Sequence, residues 1–256
     1  MKKIISYNVN GIRAAAKKGL FDWIEDLNPD IVCIQETKAQ PDQLEGAITI
    51  PNDYHAYWFS AEKKGYSSVA ILSKEEPHHV EYGCGIEKYD KEGRVIRADY
   101  ANFSIISVYF PSGSSGDERQ AVKEDFLKDF FDYIAELKKS HPNLIISGDY
   151  NICHQAIDIH NPKSNKNNSG FLPHEREWVT QFLDSGFVDS FRKIYPDATD
   201  RYSWWTYRFG ARGKNKGWRI DYHMVAAPIA DKCIGADILS EVVHSDHCPI
   251  MVEMDL

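Results

Sequence analysis

Apolar residues in this chain fall into short runs that stop abruptly at polar groups. Lys3 to Asn8 alternates weakly and predicts a strand ending in Asn8-Val9-Asn10-Gly11. Leu20, Ile24 and Leu27 stand at helical spacing, and Asn28-Pro29 closes that helix. Asp30 to Gln35 predicts a strand buried on both faces that stops at Glu36, so the first third carries a strand–helix–strand pattern. Tyr54 to Ser60 and Ser67 to Ser73 predict two more strands. Arg94 to Tyr100 and Phe103 to Tyr109 predict a hairpin turning at Ala101-Asn102.

Pro111 to Gly116 is a loop whose Ser115 and Glu118 have capping-box spacing for the next helix. That helix carries Val122, Phe126, Phe130, Ile134 and Leu137 on one stripe, the pattern of a helix lying on a sheet. Leu144-Ile145-Ile146 then enters Ser147-Gly148-Asp149-Tyr150-Asn151, a buried strand that ends on a carboxylate and a carboxamide. Asp158 to Phe171 is polar enough to predict a long loop, and loops of that length in compact domains are often functional. Pro173 opens a helix through Trp178, Phe182 and Leu183 that closes at Gly186. Ile220 to Ala226, Ile234 to Leu239 and Pro249 to Met254 predict late strands. The expected architecture is one α/β domain over residues 1–256, with two mixed β-sheets face to face and helices outside.

Composition narrows the class. A hydrophobic fraction of 43% supports a sizeable core. No run of about 18 apolar residues exists, so no membrane partner is expected. The five scattered cysteines have no Cys-x-x-Cys spacing and predict reduced thiols in a cytoplasmic protein. A net charge of −8 argues against a protein that coats nucleic acid. Arg201 to Arg219 nevertheless holds Arg201, Arg208, Arg212, Lys214, Lys216 and Arg219 without one acid, so the remainder is more acidic still. A basic segment on an acidic body suits a grip on a polyanion at one face.

The chemistry lies in the polar strand ends. Asn8 with Asn10, Glu36, Tyr109, Asp149 with Asn151, and Asp246 with His247 stand at or just past the ends of apolar runs, and Asp221 opens another. Any one could be a surface turn. Gathered at one sheet edge, the acids would repel one another unless a cation held them, and oxygen ligands suit a hard ion, Mg²⁺ or Mn²⁺. A lone His beside acids suits phosphate or acid–base work better than zinc.

Asn8-Val9-Asn10-Gly11-Ile12-Arg13, Gln35-Glu36-Thr37-Lys38, Gly148-Asp149-Tyr150-Asn151, Trp218-Arg219-Ile220-Asp221-Tyr222 and Ser245-Asp246-His247-Cys248-Pro249 occur in this order. In these motifs the chain resembles exonuclease III-type abasic-site endonucleases of the endonuclease/exonuclease/phosphatase superfamily, from Ile4 to Val252. Two stretches resemble the DNA-repair branch more narrowly: Asn161-Pro162-Lys163 through Asn168-Ser169-Gly170-Phe171, and Trp204 to Tyr207. The resemblance implies a DNase I-like four-layer α-β-β-α sandwich and a Mg²⁺-dependent enzyme cutting double-stranded DNA 5′ of an abasic site. It allows 3′→5′ exonuclease and 3′-phosphodiesterase activity, a monomer, and association with the nucleoid when bound to DNA.

Position by position, the resemblance implies Glu36 as principal metal ligand with Asn10 and Asp246 near the ion. Asp149 would orient or deprotonate the attacking water, and Asn151 and Asn8 would hold the phosphate and its neighbours by hydrogen bonds. His247, oriented by Asp221, would bind a phosphate oxygen, and Tyr109 would serve the phosphate or the leaving oxygen. Arg13, Lys38, Arg208, and Asn161, Asn165 and Asn168 would contact the DNA backbone. Trp204 and Trp218 would form an apolar pocket for a sugar lacking its base, while Trp205 and Tyr207 divide between DNA and core. Tyr66 is a candidate for entering a groove, with a surface tyrosine as the alternative. Two departures are visible: Asn10 stands where some relatives carry Asp, and Ser112, in the loop after the tyrosine, stands where others carry Asn. The rivals are a nonspecific DNase or phosphatase of the same superfamily and a non-catalytic DNA-binding module.

Overall fold

A computed structural model describes residues 1–256. The strands are β1 Lys2–Asn8, β2 Ile31–Gln35, β3 His55–Phe59, β4 Val69–Ser73, β5 His79–Tyr82, β6 Val95–Asp99, β7 Ser104–Tyr109, β8 Leu144–Asp149, β9 Phe187–Asp189, β10 Asp221–Ala226, β11 Cys233–Ile238 and β12 Ile250–Met254. They form two six-stranded sheets, ordered β11-β12-β1-β2-β4-β3 and β5-β6-β7-β8-β10-β9. Each sheet is antiparallel except for one parallel pair, β1 with β2 and β7 with β8. The two mixed sheets are as the sequence pattern predicts.

The sheets pack face to face on Ile4, Cys33, Ile71, Ile105, Ile145, Val225 and Val252, all fully buried. Three helices of eight or more residues lie outside: α1 Leu20–Leu27 on the first sheet, α2 Asp117–Leu137 and α3 Pro173–Asp184 on the second. The predicted Ser115/Glu118 cap does not form. Gly116, at φ 107°, precedes the first turn and no side chain caps it. On α2 the buried residue one turn before Phe126 is Lys123, not Val122. Spacing alone permits either, and an ion pair described below draws the lysine inward.

Several short elements carry no apolar run that would announce them. The helix Ile12–Ala16 follows Gly11 directly, β5 is a half-exposed edge strand, and β9 has three residues. The 158–171 loop contains a one-turn helix, Pro162–Asn165. None of the helices is long and apolar enough to cross a membrane.

Register carries the polar ends to one place. Asn8 pairs with Gln35 across β1 and β2, Tyr109 with Asp149 across β7 and β8, and Asp221 with Asp149 across β10 and β8. Parallel neighbours deliver their carboxyl ends together, and β10, running the other way, delivers its start.

Candidate active site

Backbone geometry turns several of these side chains inward. Asn10, Glu36 and Asn151 adopt left-handed conformations at φ 47°, 51° and 52°. Asparagine tolerates this; for Glu36 it costs strain of order 1 kcal/mol or more, a cost typically retained at functional sites. Asn8, on β1, is fully buried and reaches across the gap between the sheets. Its Nδ2 donates to Glu36 Oε1 and to Asp149 Oδ2, both at 2.9 Å, while its Oδ1 accepts from the Asn10 amide at 3.0 Å. Both amide protons are therefore committed to the two acids. Of the two tasks expected of Asn8, these bonds perform the holding of the phosphate site's neighbours: they lock the carboxylates in place.

Asp149 is 1% exposed, so burial, reinforced by Asp221, pushes its carboxyl up to about 7. Its Oδ1 accepts from the Asn151 backbone at 2.8 Å. The Asn151 side chain donates to the Phe110 carbonyl at 2.9 Å and more weakly to Asp149 Oδ2 at 3.3 Å. Asn151 thus secures Asp149 and presents its edge to the cleft.

His247 lies opposite. Its Nδ1 donates to Asp221 Oδ2 at 2.9 Å, and its Nε2 is 3.8 Å from Asp149 Oδ2. Burial opposes charging this ring, yet Asp221, then Asp149 and Asp246, raise it to about 10. Asp221 is in turn fixed by the Ser203 hydroxyl at 2.6 Å. It makes no pair with Arg219, which is buried against Asp158 and Asp189.

Glu36, Asp149 and His247 each offer a ligand atom within 4.8 Å of the others. An imidazolium has no free lone pair, so His247 serves better as a cationic donor. The two carboxylates remain, an oxygen donor set that fits a hard cation. Asp246 lines the same cleft but accepts from Asn10 Nδ2, Ser245 Oγ and Trp204 Nε1, at 3.0, 3.1 and 3.1 Å. It is thus tied into the cleft wall beside His247, near the Glu36–Asp149 pair but outside the tightest acid group. Lys38 places its Nζ 2.7 Å from Glu36 Oε2 and bonds Asn10 Oδ1.

Tyr109 is 9% exposed, and burial, with Glu36 and Asp149 nearby, holds its phenol well above 10. It therefore stays a proton donor. Arg94 lies under its ring and bonds its carbonyl at 3.0 Å.

These groups floor a cleft of about 860 Å³. Ser112 and Asn168 line it, as do Trp204 and Trp218, whose rings meet edge to face with centroids 5.9 Å apart. Leu172 and Ile220 extend the apolar wall, and Gln120, Asn167 and Ser169 add polar groups. Of these five, Ile220, Asn167 and Ser169 fall within stretches the sequence reading singled out, though none was given a role of its own; Gln120 and Leu172 were missed, because nothing around them distinguishes them until α2 and α3 are placed.

Other expected contacts sit apart from the cleft lining. Arg13, Asn161 and Arg208 are exposed, and Asn165 donates to the carbonyls of His160 and Asn161. The Tyr66 hydroxyl accepts from Arg94 and Arg119, at 2.9 and 2.8 Å, and donates to Glu92 at 3.3 Å, so the ring is half-buried and held by three neighbours. The basic segment divides as well. Arg219 is buried, Arg201 pairs with Asp237, and Arg212 donates to four backbone carbonyls. Arg208, Lys214 and Lys216 remain at the surface. Trp205 is core, while Tyr207 is exposed.

The Endonuclease/Exonuclease/phosphatase family matches residues 5–247. An exodeoxyribonuclease of Bacillus subtilis is 47% identical over 249 residues, covering 97% of each chain. A DNA repair nuclease APEX1 of Danio rerio is 45% identical over 250 residues, covering 97% of this chain and 80% of that one. The structure of an AP endonuclease from Archaeoglobus fulgidus superposes with a TM-score of 0.88 at 32% identity, covering both chains completely. With the match spanning both sheets and every strand end that builds the cleft, the chain belongs to the Endonuclease/Exonuclease/phosphatase family.

Proposed function

We propose that the protein is a DNA repair nuclease that hydrolyses the phosphodiester 5′ of an abasic site, using Mg²⁺ or Mn²⁺ and leaving a 3′-hydroxyl. The observation that carries this reading is the juxtaposition of an acid pair and an imidazolium with an apolar pocket in one cleft. The first suits phosphodiester hydrolysis. The second, walled by Trp204, Trp218, Leu172 and Ile220, suits a deoxyribose without its base. The names carried by the relatives, exodeoxyribonuclease, DNA repair nuclease and AP endonuclease, support the same substrate class.

Glu36 and Asp149 would hold the ion, which when bound neutralises the anionic phosphodiester and acidifies water. Asp149, titrating near neutrality, orients the attacking water and can accept its proton. His247, kept charged by Asp221, donates from Nε2 to a non-bridging phosphate oxygen and stabilises the charge that builds there. Tyr109 donates toward the leaving 3′ oxygen. Asn8 keeps Glu36 and Asp149 at fixed separation, so little reorganisation is left for the transition state. Lys38 and Asn168, which line the cleft, and the exposed Arg13, Asn161 and Arg208 would meet the DNA backbone.

Incubating the protein with a duplex bearing one synthetic abasic site, with and without EDTA, tests the reading. Expected is one metal-dependent incision 5′ of that site. Equal cutting of undamaged duplex would favour a nonspecific DNase, and activity only on a lipid or inositol phosphate would favour a phosphatase. Binding without metal-dependent turnover would leave only a DNA-binding module.

A further inference from the structure

The most deeply buried ion pair outside the acid cluster joins the two long outer helices. Lys123 of α2 and Glu175 of α3 are both fully buried, with Nζ and Oε1 2.6 Å apart. Nothing in the reaction as derived above uses them. A buried pair is rarely a gain in stability over apolar residues of the same size. Its partners indicate what it does instead.

Lys123 Nζ also donates to the backbone carbonyl of Asn151, at 2.8 Å. Asn151 is the left-handed residue whose amide and side chain secure Asp149. On the other side, Glu175 Oε2 accepts from the backbone amides of Gly170, at 2.6 Å, and Leu172, at 3.0 Å. That segment forms one wall of the cleft. It lies against Trp218 so closely that a Cβ on Gly170 would come within 2.9 Å of the indole. Gln120, which lines the same cleft, completes the cluster with a bond of 3.1 Å to Glu175 Oε1.

We propose that Lys123 and Glu175 are positioning residues for the reaction, Lys123 setting the Asn151 end of β8 and Glu175 setting the Gly170–Leu172 wall against Trp218. One buried salt bridge thereby fixes the distance between the hydrolytic acid and the sugar pocket. Charge is needed at both centres because each serves two kinds of partner. The ammonium donates to a carboxylate and a carbonyl, and the carboxylate accepts from an ammonium, a carboxamide and two amides. A neutral pair of the same volume could not satisfy all of these.

The proposal rests on the nuclease reading, and steady-state kinetics on the abasic duplex test it through a division of effects. Lys123→Met keeps the side-chain length and loses the donor to Asn151. Its kcat should fall at least ~10-fold with KM within ~3-fold. Glu175→Gln loses charge at the wall; KM should rise at least ~10-fold with kcat within ~3-fold. The double variant Lys123→Met/Glu175→Gln leaves no unpaired buried charge, and it should fold and show both defects. Hydrogen exchange at the Gly170 and Leu172 amides should quicken in Glu175→Gln and hold in Lys123→Met. A folded double variant with wild-type kcat and KM overturns the proposal. So do single variants whose kcat and KM move together in step with their folded fraction, and so does a double variant that cannot fold. If the wild-type protein leaves the abasic duplex intact with metal present, the substrate reading fails by itself. The division between kcat and KM is then measured on the nucleic acid the protein does cut.

Discussion

Replacing Asp221 by Asn tests the electrostatics of the site at its most loaded point. The ring of His247 is 4% exposed, and burial alone would favour its neutral form. It nevertheless titrates at about 10, against 6.5 in water. That displacement corresponds to ~5 kcal/mol at ~1.4 kcal/mol per pH unit. Asp221 is the largest of the favourable contributors, ahead of Asp149 and Asp246, so losing its charge removes the largest part of what keeps the ring protonated. The asparagine variant should therefore release the imidazolium proton at a distinctly lower pH than the wild type. At pH 6, where His247 stays charged in both proteins, turnover should fall ~10-fold or less, through lost orientation. On the alkaline side, where the variant's ring has discharged and the wild type's has not, the variant lacks a charged donor to the transition state, worth ~1.5–3 kcal/mol, which adds a further ~10- to 150-fold. Stability follows the same sign. A raised folded-state value contributes fully below about 6.5 and is lost as pH rises through about 10, so the gap in unfolding free energy between wild type and variant should close over that window. Single-turnover incision between pH 5.5 and 9.5 at saturating metal gives the first profile, and urea titrations give the second. Coincident alkaline limbs would refute the pairing. Multiplying losses in a double variant with His247→Asn would do so as well, since groups acting as a unit are not additive.

Glu36→Gln keeps the shape and removes a ligand charge, so turnover should drop at least ~10²-fold and recover partly as the metal concentration is raised. Asp158 is buried between Arg219 and Arg192; although burial opposes its charge, the two guanidinium groups hold its carboxyl down at about 2. Asp158→Asn should cost about 3–5 kcal/mol of stability at pH 7, and the difference should shrink as pH falls from about 4 through about 2, measured by denaturant unfolding. Arg208→Ala with Lys216→Ala should lower the salt dependence of DNA binding by up to ~2 in log–log slope, as both cations are at the surface. Arg212→Ala should instead lower the melting temperature and leave that slope unchanged, because its guanidinium is spent on carbonyls of residues 240–247.

Strand ends were legible because both sheets are buried on both faces. A run such as Leu144-Ile145-Ile146 can only be interior, and the polar group that stops it must lie at the rim. Edge elements lack that signature, which is why β5 and β9 left no trace in the pattern. The roles of Asn8 and Arg212 were not legible either. An asparagine facing a phosphate and one bridging two carboxylates have the same neighbours in sequence. An arginine clamping a loop by its carbonyls reads as basic charge until the loop is seen. Val122 and Lys123 show the same limit on a helix: both fit the stripe, and only Glu175, fifty-two residues away, selects the lysine.

The site's charge balance also bears on how it stays assembled. Glu36 and Asp149 are brought together by opposite sheets, and like charges in a buried rim would drive the sheets apart at that edge. Three groups of the chain itself counter this. Asn8 bridges the two carboxylates with one amide, Lys38 meets Glu36 from the solvent side, and His247 meets Asp149 from the far wall. The acids are therefore matched by two protein cations and a neutral clamp. A divalent ion entering at Glu36 must compete with the Lys38 ammonium, and a phosphate entering beside it can accept that ammonium as it is displaced. Metal and substrate should consequently favour one another's binding, and Lys38→Met should weaken that coupling, read as a smaller gain in metal affinity when the abasic duplex is added.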